Sequence, residues 1–132
     1  MDENEVDPLD EIFVETNEAQ DKQIIASILK VFVTIDPKEN LDFSEEYHKL
    51  TNMRKALVYL IIKKAMKLRG LVEDEFATTS ETSKKTLISE NDANNAFCIH
   101  YKKLVENKKG KGYSIPDYKL KKTKEEIFKS GK

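Results

Sequence analysis

The sequence predicts a mainly α-helical domain that carries a small basic β-hairpin, preceded by an N-terminal helix and a second short hairpin. Three observations predict it. Apolar residues recur at helical spacing in several segments, and Ser, Thr or Asn residues suited to capping stand at their starts. Glycines and prolines number only four and three, so long structureless loops are not expected between those segments. The one glycine-rich stretch, Asn107-Lys108-Lys109-Gly110-Lys111-Gly112, lies between two short runs of strand character. A chain of 132 residues, 39% of them hydrophobic, is the right size to bury one core and too short for two large domains.

Residues 1–16 show no apolar periodicity and are expected to form a mobile acidic arm, in which Ile12, Phe13 and Val14 can dock locally. Order is expected from Asn17. Ile24, Ile25, Ile28, Leu29 and Phe32 mark an amphipathic helix of about 18–31. Val31 to Ile35 turns β-branched, Asp36-Pro37-Lys38-Glu39-Asn40 supplies turn chemistry, and Leu41-Asp42-Phe43 returns as a second strand. Residues 17–50 thus form a helix-and-hairpin extension ahead of a main domain over 51–132.

Thr51 or Asn52 caps the strongest helix, which runs to Leu68 or Arg69 with Leu57, Leu60, Ile61, Ala65, Met66 and Leu68 apolar and Gly70 at its end. This helix is expected to be mostly buried. Lys63, Lys64, Lys67 and Arg69 in its last turns complement the helix dipole. Thr78-Thr79-Ser80-Glu81 has capping-box spacing and predicts a short helix of about 79–86. After a break at Leu87-Ile88-Ser89, a helix of about 90–106 follows, capped by Ser89. At 100° per residue Ala93, Ala96, Phe97, His100, Tyr101 and Leu104 share its core face. Asn91, Asn94, Asn95, Cys98 and Lys102 share the opposite, amide-rich face. The basic turn 107–112 leads into a strand at Tyr113-Ser114-Ile115, its lysines pointing to solvent. Pro116-Asp117 starts a final helix of about 118–129 with Leu120, Lys124, Ile127 and Phe128 on one side.

The net charge of −1 conceals a strong polarity. Residues 1–20 hold eight acids and no base, whereas residues 101–132 hold eleven lysines against four acids. That distribution suits a surface meeting a polyanion beside an acidic arm, and equally two solvated ends that keep a small protein soluble.

Thr79-Ser80-Glu81-Thr82-Ser83-Lys84-Lys85-Thr86-Leu87-Ile88-Ser89, then Ala93, Leu104-Val105-Glu106 and the Lys108–Tyr113 turn, stand in an order of long helix, short strand, short helix, tight break, second helix, basic hairpin and terminal helix. Over roughly residues 52–129 this resembles the winged helix-turn-helix superfamily of DNA-binding domains. In that family the positions held here by Thr82, Thr86 and Leu87 are typically aliphatic, leucine and glycine. The resemblance implies that 90–106 is a recognition helix entering the major groove. Asn91, Asn94 and Asn95 would then contact bases, since an amide can donate to adenine N7 while accepting from N6. Lys102, Lys108, Lys109 and Lys111 would neutralise phosphates. Glu90 and Asp92 at the same helix start either read cytosine N4, point aside, or serve the helix N-terminus. The implied function is a small transcriptional regulator on double-stranded DNA, acting as a homodimer because one recognition helix reads few base pairs. The alternative is a protein-interaction module of the same fold with a protein partner in place of DNA.

Other chemistry has little footing. His48 and His100 are the two histidines, and Cys98 is the one cysteine, so neither an intramolecular disulfide nor a multi-cysteine zinc site can form. Cys98 and His100 point to different sides of a helix and cannot act as a nucleophile pair. Gly110-Lys111-Gly112 lacks the upstream glycine of a phosphate loop, and the N-terminal acids lack calcium-loop spacing. No catalytic residue, metal site or cofactor is therefore expected. The longest apolar run, Ala56 to Ile62, is far short of the ~20 residues that span a bilayer, so a cytoplasmic protein with no membrane partner is expected.

Overall fold

The computed structural model describes residues 18–129; the expectations for the acidic arm lie outside the described residues. In chain order the elements are α1 (Glu18–Phe32), β1 (Val33–Ile35), β2 (Leu41–Phe43), α2 (Glu45–His48), α3 (Asn52–Leu68), α4 (Thr79–Thr86), α5 (Glu90–Asn95), β3 (Glu106–Lys108), β4 (Gly112–Ser114) and α6 (Leu120–Ile127). The architecture is mainly helical with two small antiparallel hairpins, β1–β2 and β3–β4.

The long helix α3 is the axis of the molecule. Every residue from Ala56 to Ile62 is at most 2% exposed, so the helix is wrapped on all sides rather than along one stripe. Its neighbours are α1, α4, α5, β4 and α6. Thr51 caps it, accepting from the Arg54 amide at 3.2 Å, and Gly70 at φ +74° follows its end. From α1, Ile25, Ile28, Leu29 and Phe32 join the same core at the spacing their sequence positions predict. The 33–43 hairpin closes through Asp36, whose carboxylate accepts from the Lys38 and Asn40 amides at 2.8 and 2.9 Å. The Asn40 backbone bond, then the Asn40 side-chain bond at 3.1 Å, and last the Lys38 bond hold its carboxyl below the usual carboxylate range.

The short α2 was not expected from the sequence. Ser44 caps it at the Tyr47 amide and also donates to the Val31 carbonyl at 2.7 Å. Its purpose is visible in Tyr47, which is buried, stacks on Phe43 at 3.8 Å between centroids, and donates to the Thr86 carbonyl at the end of α4. Burial pushes the Tyr47 hydroxyl well above the ordinary tyrosine range.

Charged residues of α3 do more than complement its dipole. Lys64 is 3% exposed and pairs with Glu75 at 2.6 Å and Asp117 at 2.5 Å. Lys63 pairs with Glu81 at 3.0 Å, and Glu81 also accepts the Tyr59 hydroxyl at 2.6 Å. The expected capping box is therefore met on one side: Thr78 accepts from the Glu81 amide at 3.0 Å, while the Glu81 carboxylate is engaged by α3.

The segment expected as one helix over 90–106 is shorter and changes character. After α5 the chain widens into a π-helical turn, Ala96–His100, closed by a Tyr101 N–H to Ala96 carbonyl bond of 2.7 Å, and a tight turn follows. A π turn takes more residues per revolution than an α-helix, so the 100° wheel fails beyond it. Ala93, Ala96 and Phe97 are buried as expected, but His100 is exposed rather than in the core. The C-terminal segment likewise begins with a 3₁₀ turn, Asp117–Lys119, before α6, whose buried positions are Leu120, Thr123 and Ile127.

Candidate nucleic-acid interface

The α4–α5 pair is built on unusual chemistry. Thr82 and Thr86, both buried, satisfy their hydroxyls by donating to the carbonyls four residues back, at 2.8 and 2.6 Å. Back-bonding of this kind lets threonine occupy core positions where an aliphatic side chain would serve. Leu87 ends α4 at φ +62°, in the left-handed region that a β-carbon disfavours, and its side chain is 88% exposed. Ser83 locks the break by donating to the Ile88 carbonyl at 2.6 Å, and Ser89 caps α5 at the Asp92 amide at 3.0 Å. Three residues thus turn the chain from one helix into the next.

On α5, Asn91 and Asn94 are exposed and Asn95 is half-buried. Asp92 does not face outward with them, because its carboxylate accepts from the Asn52 amide of α3 at 2.8 Å. Glu90 is exposed at the helix start. Cys98 joins this surface to the hairpin: its sulfur lies 3.4 Å from the Asn94 oxygen and 3.2 Å from the Tyr113 hydroxyl of β4. The Cys98 contact, ahead of burial, raises the Tyr113 hydroxyl above its usual range. Nothing in the sequence flagged the Cys98–Tyr113 contact, which brings together residues from a helical face and a strand.

The β3–β4 hairpin pairs Glu106 with Ser114 and Lys108 with Gly112 around Lys109-Gly110-Lys111. It is fixed to the root of α4 by a bridge between Ala77 and Tyr113, with 2.8 Å bonds in both directions. Gly112, at φ +110°, allows that approach, since a β-carbon there would sit 2.3 Å from the Ala77 oxygen. Lys108, Lys109 and Lys111 are all exposed as expected. Lys109 reaches solvent at the turn, whereas Lys108 lies over the Phe76 ring at 5.6 Å and Lys111 pairs with Asp74 at 2.9 Å. That pairing holds the Asp74 carboxyl below its ordinary value and the Lys111 ammonium above its own.

Lys102 stands apart from its expected place. The helical wheel placed it beside the asparagines, but the helix has ended before it, and it lines a groove of about 710 Å³ against α6. Among the described residues no group of three or more His, Cys, Asp or Glu side chains is arranged to hold a metal ion. Among the same residues no helix is long and apolar enough to cross a membrane. No protein-family model, curated protein or solved structure matches the chain.

Proposed function

We propose that this protein is a winged helix-turn-helix DNA-binding protein, with α5 presented to the major groove and the β3–β4 hairpin acting as a basic wing on the flanking phosphates. The observation that carries the reading is the continuity of one surface: exposed Asn91 and Asn94 lead through Cys98 to Tyr113 and so to the hairpin of Lys108, Lys109 and Lys111. The three-residue break between α4 and α5, opened by Leu87 in the left-handed region, and the bridge from Ala77 to the hairpin support the same reading. Asp92 is turned aside to Asn52, which removes one carboxylate from the face that would meet phosphate. Base recognition would rest on Asn91 and Asn94, with Asn95 closer to the fold, and phosphate contact on Lys108, Lys109 and Lys111. Two copies would be needed to read an operator of useful length.

Affinity for random duplex DNA measured across salt concentrations tests the reading. Binding should weaken steeply with salt, and a K108A/K109A/K111A variant should flatten the slope by up to ~0.9 per lost phosphate contact. Changing an asparagine that meets a base should cost ~1–3 kcal/mol on a preferred site and little on random DNA.

A protein-binding module is the second reading. It is favoured by Leu87 at the end of α4 and Ile99 in the π turn, which are 88% and 67% exposed. DNA affinity that is absent, or indifferent to salt, would select it.

A further inference from the structure

The groove lined by Lys102 has a composition of its own. One wall is the 99–104 segment, with Ile99 and Leu104 offering apolar surface and Lys102 and Lys103 charge; the other is α6, with Lys122, and the residues just after it, with Lys129. His100 lies in the same lining. The acids present are Glu125 and Glu126, and Glu126 is held by Arg54 at 3.5 Å. Four ammonium groups around an exposed isoleucine call for a partner that is both acidic and apolar.

Such a partner is attached to the same chain. Residues 1–17 contain seven acids and no base, and within them Asp10-Glu11-Ile12-Phe13-Val14-Glu15 sets three consecutive apolar side chains between carboxylates. The chain leaves this stretch to enter α1 at Glu18, and Asp21 in the first turns of α1 shares a pocket with Lys64 and Asp117. Asp117 opens the turn that leads directly into α6. The acidic stretch is thus tethered near the start of the helix that forms one groove wall. The five steps from Glu18 back to Phe13 span up to ~17 Å when extended, and the eight residues of α6 span about 12 Å. A tether of this length gives an effective concentration in the millimolar range, so weak contacts suffice.

We propose that residues 10–15 of the acidic N-terminal stretch bind in the groove between the 99–104 segment and α6, Phe13 against Ile99 and Leu104 and the flanking carboxylates against Lys102, Lys103, Lys122 and Lys129. The contact is intramolecular and electrostatically assisted, and it does not depend on the DNA reading.

Cys98, exposed and next to Ile99, supplies the probe. A nitroxide on Cys98 of the full chain should broaden the backbone amide signals of residues 10–15 by roughly twofold or more at low ionic strength. The signals should recover in ~1 M salt, where the Debye length is ~3 Å. Reversing three exposed lysines, K102E/K122E/K129E, should abolish the broadening, and Phe13→Ser should weaken it. Three results would overturn the proposal: no broadening beyond that of residues 2–7, broadening that survives the charge reversal, or broadening that appears in a mixture of nitroxide-bearing and isotope-labelled chains. The last would assign the groove to a second copy.

Discussion

Replacing Lys64 by methionine isolates the energetic role of the single buried ammonium in α3. The side chain is 3% exposed, and its nitrogen reaches Glu75 at 2.6 Å and Asp117 at 2.5 Å. Methionine keeps the apolar stem in place and removes the charge. Removing one member of a buried ion pair typically costs ~3–5 kcal/mol, because the partner is left charged and desolvated. Here the two partners differ: Asp117 is 45% exposed and can turn to water, while Glu75 is 18% exposed and, among the described residues, retains Lys67 at 3.9 Å. One carboxylate is therefore stranded rather than two, which lowers the expectation to about 2–3 kcal/mol. Urea unfolding followed by circular dichroism should show that loss as a lower midpoint at unchanged m-value. Adding Glu75→Gln to the methionine variant removes the stranded charge and should restore most of the stability. A single variant within ~0.5 kcal/mol of the parent, or a double variant weaker than the single, would refute the reasoning, since surface substitutions fall in that range.

Three further outcomes follow from the same geometry. Leu87→Gly relieves a left-handed residue worth ~1–2 kcal/mol but loosens the unfolded chain by ~0.4–1 kcal/mol. The net should lie between no change and a gain of about 1.6 kcal/mol in thermal denaturation, and a clear loss would mean that the exposed leucine packs on something. Asp74→Asn frees Lys111 from its 2.9 Å partner. Because this is a surface pair, stability should change by less than ~1 kcal/mol, while the salt slope of DNA binding should steepen by up to ~0.9; an unchanged slope would take Lys111 off the phosphates. Asp21 has its carboxyl raised by burial and then by Asp117, against the opposing pull of Lys64. A raised acid binds its proton more tightly in the folded state, so its stabilising contribution is present below the unfolded value near ~3.9 and is lost as pH rises through the folded one. Asp21→Asn should therefore raise the melting temperature at pH 7 and lose that advantage in acid; equal effects at both pH values would sink the assignment.

The sequence made the helices legible because their ends carry explicit chemistry: Thr51, Thr78 and Ser89 cap α3, α4 and α5 as their spacing predicts. Both hairpins were legible from turn residues. Two features escaped for physical reasons. The four-residue α2 is too short to display a period, and its anchor, Tyr47, finds Thr86 across 39 positions of chain. The π turn at 96–100 is a one-residue widening with no local signature, and it displaced both His100 and Lys102 from their expected faces. At the candidate site, the exposure of Asn91 and Asn94 followed from helical periodicity. The engagement of Lys111 by Asp74 and of Asp92 by Asn52 did not, because pairs 37 and 40 positions apart are created by the fold alone.

The approach of Gly112 to Ala77 makes the hairpin and the α4–α5 pair a caliper with its jaws locked. The strand of one jaw is hydrogen-bonded to the residue just ahead of the other, at a separation that excludes even a methyl group. Their two roots are thereby held at one spacing by the paired Ala77–Tyr113 bonds. On the proposed DNA reading, a duplex held by both would supply part of the adjustment itself, by narrowing a groove or bending between contacts, and the cost of that adjustment depends on base sequence. Selectivity could then reside partly in how readily a stretch of DNA deforms, including base pairs that no side chain reaches.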